Sequence, residues 1–144
     1  MAEGQAQQRR PTDKLVHLIE ETSVGPGGLS DYTLWMEMWV RARRDSTVRR
    51  SYFRLDRRQR ELIAEIVRDG QAAGEFTPEA DPDDFALGLS GLMDGLGVQV
   101  TLGQPDVTPQ RMVERCLGLA SKELGCELRP SKPIDKPRRR VAKR

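Results

Sequence analysis

Few side chains in this sequence could do chemistry, and they are scattered. His17 is the one histidine, with no second histidine or cysteine near it, so a metal site is not expected. Cys116 and Cys126 read as a small buried thiol and a free one. No phosphate-binding loop, dinucleotide fingerprint or nucleophile elbow occurs. Asp83 and Asp84 follow Pro82 and suit a helix start better than a catalytic pair. An enzyme is therefore not expected, and no cofactor is implied.

One carboxylate stands apart. Asp94 lies inside FALGLSGLMDGLGVQVTL, residues 85–102, a stretch otherwise apolar and threaded with glycines. A buried carboxylate needs a partner. It is either satisfied by a neighbouring helix or anchors a ligand at the edge of a cavity. Trp35, Met38, Trp39, Tyr52, Phe53 and Met93 carry much of the aromatic and soft apolar surface. They either fill a core or line a cavity that the methionines would make adaptable. Nine arginines fall between Arg41 and Arg60. They are a solvated face with i,i+4 pairs or an electrostatic footprint for nucleic acid.

These residues must be positioned by helices, because every apolar pattern recurs at 3.6 rather than 2 residues. The spacing predicts five of them. The first runs roughly from Asp13 to Thr22 with Thr12 as cap, and Gly25-Pro26-Gly27-Gly28 breaks the chain after it. The second runs from about Asp31 to Arg44 behind Ser30. The third, from about Thr47 to Ala73, keeps helical spacing for some seven turns and closes at Gly74. Asp81-Pro82 and Thr108-Pro109 open the fourth and fifth, which stop at Gly103 and Gly125. The fourth is apolar almost all round, so it must bury one face in its own chain and the other against something else, most simply a second copy.

At 144 residues the chain is one domain. Charged residues make up 32% and apolar ones 37%, which fits an all-α protein with long solvated faces. Residues 1–11 read as a disordered N-terminus, 12–126 as the domain and 127–144 as a disordered basic tail. From Arg129 to Arg144 there are eight basic residues and one acid, enough for weak, salt-sensitive attraction to DNA. No signal peptide or membrane span is read, and the expected location is cytoplasmic.

The succession LWMEMWVRARRD, YFRLDRRQRELIAEIVRDGQAAGEF and DPDDFALGLSGLMDGLGVQVTLG resembles the C-terminal domain of TetR-family transcriptional regulators, of the BetI-like type, over roughly residues 12–126. The resemblance implies a TetR C-terminal-like bundle of about five helices that dimerises through its last two. It places a small, largely apolar effector among Trp35, Met38, Trp39, Tyr52, Phe53, Met93 and Asp94. It also puts Leu89, Leu92, Leu96, Val100, Met112, Cys116 and Leu119 at a homodimer interface. Only about eleven residues precede the first helix, too few for the family's helix-turn-helix, so DNA binding by this polypeptide alone is expected to be weak. The expected role is effector sensing and dimerisation without a DNA reader of its own. The alternatives are a module forming mixed dimers with a full-length regulator, or a basic, non-specific nucleic-acid-associated protein.

Overall fold

The computed structural model describes residues 9–24 and 28–132. The expectations for residues 1–8, 25–27 and 133–144 lie outside the described residues. Among the described residues five α-helices follow one another: α1 Pro11–Val24, α2 Gly28–Ala42, α3 Ser46–Ala72, α4 Pro82–Thr101 and α5 Pro109–Leu124. The fold is all-α.

The helix starts obey local rules. The Asp45 side chain caps α3 by accepting from the Thr47 and Val48 amides. Asp81 caps α4 through the Asp83 and Asp84 amides, and Thr108 caps α5 through the Arg111 amide. Gly125, at φ 64°, ends α5 in the left-handed conformation. Two starts differ from the sequence reading. Helix α2 begins at Gly28, so Ser30 stands inside its first turn and not ahead of it. Helix α1 begins at Pro11, and Thr12 does not cap it. The carboxylate of Glu75, beyond α3, accepts from the Thr12 amide, the Thr12 hydroxyl and Arg10 Nε. An orphan donor of α1 is thus satisfied from another part of the chain.

The core is a set of helical ridges at i, i+4. Leu15 and Ile19 from α1 meet Ile63 and Val67 from α3, Leu89 and Met93 from α4, and Met112 and Cys116 from α5, all shielded from solvent. Burying each large aliphatic side chain contributes about 1.5–3 kcal/mol. Glycine admits an aromatic ring at two places. Phe76 lies against Gly70, and Tyr32 lies against Gly97, where a Cβ would overlap the ring.

Helix α4 buries one face only. Phe85, Ala86, Leu89, Ser90, Met93, Gly97 and Val100 point inward. On the other side Leu87 and Leu102 are 55% and 70% exposed, and a Cβ added at Gly88, Gly91 or Gly95 would meet nothing within 4 Å. Of the residues expected at a pairing surface, Leu89, Val100, Met112 and Cys116 are buried within their own chain. Leu92, Leu96 and Leu119 are half-buried.

Residues 127–132, expected to be disordered, are placed. Leu128 is buried and its amide donates to Ser121 Oγ. The Ser131 amide and hydroxyl both donate to Glu20 on α1.

Candidate functional site

Helix α3 outruns the core. Its second half carries the buried ridge, while Phe53 and Leu55 in its first half are exposed. There α3 is flanked by α2, and the splay between α1, α2, α3 and α4 opens a cavity of about 350 Å³. That is within the usual range for a small-molecule site. Leu18, Glu21 and Thr22 come from α1, and Tyr32, Trp35 and Trp39 from α2. Tyr52, Asp56, Gln59 and Leu62 come from α3, and Asp94 from α4. Each set is spaced at three, four or seven residues, so each lies on one helical face.

The walls are aromatic. Trp35 and Trp39 both meet the Tyr52 ring edge-on, with centroids 6.1 and 6.4 Å away. Trp39 Nε1 is buried and makes no hydrogen bond of ordinary geometry, although it lies close enough to the Tyr52 hydroxyl to favour its ionised form. The Tyr32 hydroxyl donates to the Met93 carbonyl at 3.1 Å. Burial, with Asp94 and Cys116 nearby, holds the Tyr32 phenol well above its ordinary pKa. Burial also raises Tyr52, with Asp56 and Asp94 adding to it.

The polar groups of the site are mostly acidic. Glu21, Asp56 and Asp94 line the cavity, and among the described residues no lysine, arginine or histidine does. One Asp56 oxygen accepts from Arg60 Nη2 at 2.6 Å and Nε at 2.9 Å. Asp94 has no such partner among the described residues. Its carboxyl is pushed up to about 6, first by burial and then by the charge of Asp56. Among the described residues no three His, Cys, Asp or Glu side chains converge closely enough to hold a metal ion.

Of the seven residues expected at a ligand site, the structure brings four together: Trp35, Trp39, Tyr52 and Asp94. Met93 is fully buried beneath the cavity and meets it only through its carbonyl bond to Tyr32. Met38 is half-buried and does not line it. Phe53 is 56% exposed and leans on the Tyr52 ring, centroids 5.8 Å apart. Sequence reasoning missed Glu21, Thr22, Tyr32, Asp56 and Gln59. The signal for Asp56 and Gln59 was present, since they follow Tyr52 by four and seven residues on one face of α3. The arginines Arg41, Arg43, Arg44, Arg49, Arg50, Arg54, Arg57 and Arg58 lie exposed around the α2–α3 turn and on the outer side of α3.

A helical bundle holding an aromatic, acidic cavity between its helices has the architecture of a ligand-binding domain. The sequence matches the BetI-type transcriptional repressor C-terminal family over residues 11–125, and the chain belongs to that family. Its fold is similar to a crystal structure described as a transcriptional regulator from Saccharomonospora viridis in complex with choline. The TM-score is 0.75 at 25% identity, covering 82% of this chain and 62% of that one. The chain thus spans less than two thirds of that regulator's length. No curated protein matches the sequence. Among the described residues no helix is long and apolar enough to cross a membrane.

Proposed function

We propose that this chain is the effector-sensing and pairing domain of a TetR-like regulator, and that its effector is a small quaternary-ammonium cation such as choline. The observation that carries this is the lining of the cavity: four aromatic side chains and three carboxylates, with no basic side chain among the described residues. Aromatic faces attract an alkylated cation by about 0.5–2 kcal/mol each, more when water is excluded. The carboxylates balance its charge. The largely apolar effector expected from the sequence fits less well, because it would leave the Asp94 carboxylate desolvated and unmatched. The S. viridis regulator solved with choline supports the same class of ligand.

The mechanism is allosteric. Helix α1 offers Leu18, Glu21 and Thr22 to the cavity, so a bound cation touches it directly. Only differential contact between two states can shift their populations. Movement of α1 relative to α4 and α5 would reach the segment ahead of Pro11, and in a regulator with DNA-reading helices there it would change operator binding. The pairing surface is the uncovered side of α4, with Leu87, Gly88, Gly91, Gly95 and Leu102, continued by Gly118 on α5. Glycines let a second backbone approach closely, and a self-complementary face of this kind forms a two-fold dimer. The same face would serve a mixed dimer.

Isothermal titration with choline chloride tests the ligand. Trp39→Ala should weaken binding about 2- to 30-fold. The uncharged carbon isostere of choline should bind far more weakly than choline. Equal binding of the isostere, or an unchanged affinity in Trp39→Ala, would refute the assignment.

A further inference from the structure

The three acids of the cavity are not equivalent, and the difference points to how the site manages its charge when empty. Asp56 is tied to Arg60 through two short hydrogen bonds. Asp94 faces the same cavity from α4 with no protein partner among the described residues, half-buried beside aromatic walls. The titratable groups around it are Glu21 from α1, Tyr32 from α2, and Tyr52 and Asp56 from α3, with Arg60 behind Asp56. Helix α5 adds no titratable side chain to the lining, and its Cys116 lies in the core.

With Glu21 exposed at the rim, and Asp56 half-buried and paired with Arg60, the half-buried, unpaired Asp94 would leave uncompensated negative charge against the aromatic walls of an empty cavity. The cheapest relief is a proton on the carboxylate without a partner. We infer that the cation binds by exchange: as it enters, the O–H bond of Asp94 breaks, the proton passes to solvent, and the carboxylate left behind faces the ligand's positive charge. Wherever Asp94 holds its proton before the ligand arrives, one positive charge enters as one leaves, and the cavity's net charge is nearly the same full or empty. This rests on the quaternary-ammonium reading of the site. The direction agrees with the raised value of about 6 for Asp94 without ligand. Affinity should therefore be fully present above that value and be lost as pH falls through it.

The experiment is isothermal titration of the 144-residue chain with choline chloride from pH 7.5 to pH 5, in two buffers of different ionisation enthalpy. With Asp94 at about 6, the ionised fraction falls about tenfold over this range, and the dissociation constant should rise by about the same factor. At pH 6 the buffer comparison should show release of roughly half a proton per ligand bound. Asp94→Asn should bind about tenfold more weakly at pH 7.5 with little further change down to pH 5. Its circular dichroism should match the parent, because the amide replaces the acid at nearly constant volume. A wild-type affinity that is flat with pH and independent of buffer would overturn proton exchange while leaving the cation assignment intact. An Asp94→Asn variant that keeps the full pH slope would overturn it too, by moving the titration to another group. Absence of choline binding at every pH would overturn the cation reading and the exchange with it.

Discussion

Gly97 is the point where helix geometry and the cavity wall meet, and replacing it with alanine tests the link. A Cβ at this position would lie 2.6 Å from Tyr32 Cδ1, with Cε1 and Cζ closer still, whereas ordinary contact begins at 3.4 Å. The ring cannot simply step aside. It is only 5% exposed, and its hydroxyl is engaged with the Met93 carbonyl. Overpacking of this kind costs about 1–3 kcal/mol, and loss of the hydroxyl bond adds about 1 kcal/mol. Alanine returns about 1 kcal/mol over glycine through helix propensity. Gly97→Ala should therefore destabilise the chain by about 1–3 kcal/mol. Gly95→Ala, two residues away on the same helix, receives the same propensity gain and meets nothing within 4 Å in its own chain, so in the monomer, where no second backbone approaches it, it should stabilise the chain by up to about 1 kcal/mol. Urea denaturation followed by circular dichroism separates them, with an expected gap in midpoint of about 1–2 M. All variants should be compared at one protein concentration and one oligomeric state, since pairing ties stability to concentration. Tyr32 lines the cavity, so choline affinity should fall in Gly97→Ala and hold in Gly95→Ala. A Gly97→Ala chain as stable as Gly95→Ala would refute the close-approach reasoning.

Two further outcomes follow from other parts of the structure. Gly91→Arg places a long charged side chain on the uncovered side of α4, where nothing in the chain obstructs it. It should shift the solution mass measured by light scattering from dimer to monomer with helicity unchanged, and a persisting dimer would move the pairing surface elsewhere. Glu75→Gln should lower the urea midpoint near neutral pH. The hydrogen bonds from Thr12 and Arg10 hold the Glu75 carboxyl below its ordinary value, so its contribution is present above about 4.5 and is lost as pH falls through the depressed value. The gap between wild type and variant should therefore close in acid, and a gap independent of pH would show that Glu75 acts through packing rather than charge.

Much of the fold was legible in the chain. Asp81-Pro82 and Thr108-Pro109 announce helix starts because the cap chemistry is local and needs no tertiary partner. The i, i+4 ridges of α3 to α5 announce their inner faces for the same reason. Trp35, Trp39, Tyr52 and Asp94 were recognisable as a group because large aromatics and a lone carboxylate stand out against their surroundings. What local pattern could not fix was which face of a nearly all-apolar helix turns inward. On α4, Leu89 and Leu87 are equally apolar, and only packing against α1, α3 and α5 sends the first into the core and leaves the second bare.

The sequence by itself therefore determined five helices, their boundaries to within a few residues, and some of the side chains that border the cavity. Those properties depend on contacts within a turn or two of chain. Tertiary structure alone decided that the aromatics border a cavity rather than fill a core, since that depends on how far α3 extends past the ridge that holds it. It also brought Glu21, Asp56 and Asp94, from three helices and separated by 35 and 38 residues in the chain, to the same space. Charge acts through distance in space and not along the chain, so the acidic character of the site, and with it the kind of ligand it suits, exists only once the helices have assembled.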